Sequence, residues 1–124
     1  MTVSMDVVGA REVAASLGVV SGAVTLGARA VVERGALNVK QKWAENARGS
    51  AGVHAPHYPD SISYDMRGLD VEVGPDKGAA QGPLGNLLEY GSSKNPPHWD
   101  GQRALDDEAP RFERAFGEML DRLL

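Results

Sequence analysis

A chain of 124 residues with 42% hydrophobic and 24% charged side chains suits one soluble domain, because each of two halves would sit near the size at which a core barely offsets folding entropy. The lack of cysteine excludes disulfides, thiol nucleophiles and thiolate zinc sites and fits a reducing compartment, and a formal charge of -4 argues against a nucleic-acid coat, which needs lysine and arginine to displace phosphate counterions. The opening residues lack the basic and apolar stretches of a signal peptide, and no window approaches the ~18 apolar residues of a membrane span, so a soluble, unprocessed protein with no membrane partner is expected.

Thr2 to Val8 alternates loosely and is rich in β-branched residues, which predicts a short strand or a flexible arm over about residues 1–9, ended by Gly9. Arg11 to Leu17 has room for two helical turns before Gly18. From about Ser21 to Arg48, Val24, Ala28, Val31, Val32, Gly35, Val39, Trp43 and Ala47 recur every three or four residues, one stripe of a long helix ended by Gly49. Thr25, Arg29, Glu33, Lys40, Lys42, Glu45 and Arg48 fill the other face, which suits solvent or a wet subunit contact. Small residues at Gly22, Ala23, Gly27, Ala28, Gly35 and Ala36 let another backbone approach, either a sheet under the helix or a helix of a neighbouring subunit.

Ser50 to Pro59 reads as a loop holding His54 and His57. Prolines interrupt the histidine spacing and His98 lies far along the chain, so no metal set is assembled. Ile62, Tyr64 and Met66 alternate with Ser61, Ser63 and Asp65, and Leu69, Val71 and Val73 alternate with Asp70 and Glu72 after Arg67-Gly68. This is the pattern of an antiparallel hairpin with one face on a core. Gly74 to Gly82 is poor in apolar residues and rich in chain breakers, and is expected to be an exposed, mobile loop; Gly91 to Gly101 is expected to form a second.

Between these loops, Leu84, Leu87 and Leu88 at i, i+3 and i+4 after Pro83 predict a short buried helix. Glu89 at its end must face water, find a donor, or pair across an interface, since burying it unpaired is costly. From Gln102 to Leu124, Leu105, Ala109, Phe112, Phe116, Met119 and Leu123 line one face of an amphipathic helix, with Asp106, Glu108, Glu113, Glu118, Asp121 and Arg122 elsewhere and Pro110 tolerated near its start or at a kink. The fold class expected is therefore α+β: one domain over residues 1–124, in which a small antiparallel sheet packs against a long helix from the N-terminal half and a C-terminal amphipathic helix.

Pro59-Asp60 at a strand start with Glu72 in the next strand resembles the nuclease pattern in which two carboxylates hold a divalent metal and a lysine follows the glutamate. Here Glu72 is followed by Val73 and Gly74, so the lysine is missing and no catalytic, metal or cofactor site is assigned. The remaining catalytic alternative, Glu89, has no base or nucleophile beside it.

Taken in order, the long early helix, the proline loop closing on Tyr58-Pro59-Asp60-Ser61-Ile62, the strand Val71-Glu72-Val73-Gly74-Pro75, the turn Leu88-Glu89-Tyr90-Gly91-Ser92, the Pro96-Pro97 loop and Arg103-Ala104-Leu105-Asp106 form a series. That series, from about Ser21 to the end, resembles the phage neck and tail-completion family typified by gene product ten of the HK97 phage. The family's Thr-Gly-x-Leu before Ser-Ile is absent, the aromatic-Ala pair before its Glu turn is replaced by Leu84-Gly85-Asn86, and His98-Trp99 stands where Arg-Pro-Phe is usual. The resemblance implies a non-enzymatic virion protein of a long-tailed bacteriophage, assembled in the host cytoplasm. It would form a sixfold or twelvefold homo-oligomeric ring for head-tail joining, tail completion or tail termination, between portal-side, neck and tail-tube proteins, with phage DNA passing through the lumen without specific binding. Its loops put forward Asp76, Lys77, Glu89, Tyr90, Lys94, His98 and Trp99 as subunit-contact residues. The alternative from another class is a partner-binding or toxin-like host protein that docks through its C-terminal helix.

Overall fold

The computed structural model describes residues 3–6, 21–94 and 96–123. Its architecture is mixed helix and sheet. Strand β1 (Val3–Asp6) is followed by the long helix α1 (Ser21–Ala51), the hairpin strands β2 (Ile62–Arg67) and β3 (Asp70–Pro75), the short helix α2 (Gly85–Tyr90) and the final helix α3 (Asp100–Leu123). The helix expected over Arg11 to Leu17 lies outside the described residues.

The long helix forms where its stripe predicts. Val24, Ala28, Val32, Ala36, Val39, Trp43 and Ala47 are all buried, and the helix runs through Gly49 to Ala51 instead of stopping there. A glycine inside a helix costs about 1 kcal/mol against alanine, and one further turn buries Ala51, so the apolar stripe overrides the expected stop.

The sheet is three-stranded and antiparallel in the order β1-β3-β2. In β2 and β3, Tyr64 faces Val73 and Met66 faces Val71, which aligns the apolar positions of both strands on the side toward α1 and leaves Ser63, Asp65 and Glu72 exposed. Gly68 turns the hairpin with φ +64°, a conformation that side chains disfavour. The N-terminal stretch is not a free arm throughout, since Val3 pairs with Val73 and Asp6 with Asp70.

Helix α3 lies antiparallel along α1. Asn46 donates to the Asp100 carbonyl, Asn38 donates to the Glu108 carboxylate, and Gly27 sits beneath Met119. Leu105, Phe112, Phe116 and Leu120 pack onto the core, with Phe112 and Phe116 stacked at 6.2 Å. Helix α1 is thus covered by the sheet and also by a helix of its own chain. Three assignments on α3 change: Ala109 and Leu123 are exposed, and Glu108, read as a polar-face residue, is buried because Asn38 and Arg111 both donate to it.

Of the segment Gly74 to Gly82, Gly74 and Pro75 complete β3, and Asp76 to Gly82, exposed at Asp76, Lys77 and Gly78, is a run of closed turns and not an open loop. Asp76 N–H donates to the Ser61 carbonyl at 2.7 Å, Ala79 N–H to the Asp76 carbonyl and Gly82 N–H to the Ala79 carbonyl, while the Asp76 carboxylate takes the Gly78 N–H. Gln81 then accepts the His57 N–H at 2.6 Å. Such satisfied backbone groups hold a polar segment in place without apolar content.

Candidate interaction site at the start of the last helix

Helix α3 begins two residues earlier than its periodicity predicts, at Asp100, and the reason lies in Glu89. Its carboxylate accepts the Gly101 N–H at 2.8 Å on one oxygen and the Gln102 N–H at 3.0 Å on the other. The first turn of any helix leaves N–H groups without internal partners, and an anion there is stabilised by hydrogen bonds and by the helix dipole. Glu89 is therefore a cap supplied from twelve residues away, and it is 1% exposed. The expectation that Glu89 reaches another subunit is overturned, because both of its oxygens are engaged inside its own chain.

The backbone reinforces this clamp. His98 N–H donates to the Leu88 carbonyl and Trp99 N–H to the Glu89 carbonyl, while the Trp99 carbonyl receives Arg103 N–H. The second loop expected to be mobile therefore ends at Trp99 in a fixed geometry. Asp100 is fully buried. Its oxygens accept the Ser50 hydroxyl at 2.7 Å and the Arg103 guanidinium at 2.8 Å, and His98 Nδ1 lies 3.7 Å away, beyond hydrogen-bond range.

Behind the clamp stands Trp43, whose indole N–H donates to the Tyr58 hydroxyl at 3.2 Å. Burial pushes the Tyr58 phenol well above its ordinary value, the Trp43 hydrogen bond pulls the other way, and the nearby Glu89 and Asp100 charges add to the rise. The phenol therefore ionises more readily in the unfolded chain. The stability held by the neutral form is complete below the ordinary value of 10.0 and is lost as pH climbs past it. Tyr58 is expected to stay protonated until the fold gives way in alkali. Subtracting the phenolate absorbance of Tyr58→Phe from that of the parent, alongside circular dichroism, checks this; ionisation with the helices intact would contradict it.

Leu84, Leu87 and Leu88 are expected to be buried, and of the three outcomes open to Glu89 it finds donors; the helix turns Glu89 inward and two of the leucines outward. Leu84 is exposed and Leu87 is 55% exposed, while Leu88 is half-buried. Tyr90 and Trp99, 50% and 43% exposed, meet edge to face at 5.5 Å. Beside them a cleft of 380 Å³ is lined by Ser50, Ala51, His54, Leu87, Pro96 and His98, among others. Of the residues put forward as contacts, Tyr90, Lys94 and Trp99 are exposed on this edge, His98 lines the cleft, and Asp76 and Lys77 sit in the turn after β3.

Asp60 pairs with Arg48 at 3.4 Å. Glu72 faces Asp65 in the hairpin while Asp60 lies beyond the Ile62–Pro75 pair, so the register separates the two carboxylates of the nuclease pattern. Among the described residues no group of three or more His, Asp or Glu is placed to hold a metal ion, and no helix is long and apolar enough to cross a membrane. What the site offers chemically is an outward apolar edge on an inward set of carboxylates already engaged by their own chain.

Asp100 and the Trp43–Tyr58 pair were not anticipated from the sequence. An acidic residue just ahead of a periodic apolar run was the available signal for Asp100; nothing local marks Tyr58. No family model, no curated protein and no solved structure matches the chain.

Proposed function

We propose that this chain is a structural subunit of a long-tailed bacteriophage virion, closing into a homo-oligomeric ring in the neck or tail for head-tail joining, tail completion or tail termination. One observation supports the reading most: the last three motifs of the family resemblance meet at a single junction. Leu88 to Ser92 covers the end of α2, Pro96-Pro97 the link, and Arg103 to Asp106 the first turns of α3; Glu89 joins the first of these to the start of α3 through Gly101 and Gln102, and His98 and Trp99 bond back from the end of the link to Leu88 and Glu89. The exposed edge built on that junction is apolar and aromatic, the chemistry of a protein contact. Repeated around an axis, pairwise contacts of modest strength add up to a stable closed assembly.

The alternative that docks through the C-terminal helix has less to work with, since the apolar face of α3 is spent on its own core. Native mass spectrometry of the purified protein, alone and with candidate portal-side and tail-tube proteins, is the test. Closed multiples of the chain are expected. A monomer under all of these conditions that instead captures a host protein would overturn the proposal.

A further inference from the structure

Trp99 occupies a backbone conformation with φ +56°, a left-handed setting that disfavours bulky side chains and suits glycine. The clamp explains the backbone, because the Trp99 N–H and carbonyl are both bonded there. It does not explain the indole. A glycine would make the same two hydrogen bonds without strain, yet the position carries a large ring, 43% exposed, set against the half-exposed ring of Tyr90. Strain kept at an exposed aromatic points to a contact outside the fold.

Charge says what that contact is. Of the fixed charges between Leu87 and Trp99, Glu89 is buried and engaged by its own chain and Lys94 is exposed, so the fixed charge this stretch presents to solvent is a cation. The outer side of α3 is net acidic: Asp106, Asp107, Glu113, Glu118 and Asp121 are exposed, against Arg103, Arg114 and Arg122, of which Arg103 is paired with the buried Asp100. We infer that the Tyr90–Trp99 edge, with Leu87 and Lys94, docks onto the acidic outer side of α3 in a second copy of this chain. The two surfaces differ, so the contact is head-to-tail and each copy keeps one of each free for the next, the geometry that closes rings or runs on as filaments. This assignment rests on the proposed assembly and names the surfaces that make it.

The experiment compares four proteins by native mass spectrometry and sedimentation: the full chain, Trp99→Gly, Lys94→Glu, and Asp106→Lys with Glu113→Lys. Trp99→Gly is expected to melt at or above the temperature of the parent while its self-association weakens about tenfold or more. Lys94→Glu and the double lysine variant are each expected to weaken association alone. Mixed in equal amounts they should assemble again, as alternating copies, because each then meets an opposite charge. Should the parent assemble while the variants do so equally well, the surfaces named here are wrong and the assembly proposal survives. A parent that stays monomeric with and without neck partners overturns both.

Discussion

Replacing Glu89 by alanine is expected to lower the stability of the fold by about 3 kcal/mol, since it leaves the buried Gly101 N–H and the part-buried Gln102 N–H of α3 without their acceptor. For a chain of this size that corresponds to a fall of about 10 °C in the melting midpoint. Glu89→Gln keeps one carbonyl acceptor but turns an amide N–H₂ toward the second donor, so it should fall between parent and alanine variant. Thermal melts followed by circular dichroism check the order parent, glutamine, alanine. Equal stability of all three would mean that the helix start is held by Asp100 and the backbone bonds alone.

The second large effect is steric. A Cβ added at Gly101 would stand 2.7 Å from Cη2 and Cζ2 of Trp43, and that ring has little freedom to retreat, being fully buried and bonded to Tyr58. Gly101→Ala is therefore expected to cost about 2 kcal/mol through overpacking. Trp43→Phe in the same molecule frees space at the point of collision, so the double variant should be more stable than the sum of the two single losses predicts, by about 1 kcal/mol. Urea unfolding of the four proteins gives this coupling directly; strict additivity would show that the clash relaxes elsewhere.

Much of the frame was legible because it is written in periods. The apolar stripe of α1 and the alternation of Ile62 to Val73 each force one face inward, and the structure buries those faces. The orientation of α2 was not legible. Leu84, Leu87 and Leu88 have helical spacing, but a six-residue helix has only one covered side, and here Glu89 takes it. The partners of Glu89 are backbone N–H groups, which every residue carries, so no side-chain pattern announces the pair. Glu108 misled for a related reason: its donors, Asn38 and Arg111, include one seventy residues away. Of the contact residues read from the sequence, Tyr90, Lys94 and Trp99 remain on an exposed edge, because aromatic rings beside glycine and proline breaks leave little room for burial.

The shared carboxylate also governs how this molecule yields to force. A tug on Tyr90 or Trp99 meets the backbone bonds by which Leu88 and Glu89 hold His98 and Trp99. It passes into the first turn of α3 and on to Asn46 and Ser50, which hold Asp100 from the middle of the body. The rim is thus joined to the long helix by a continuous chain of hydrogen bonds, the route along which a load taken at the edge would be shared with the body.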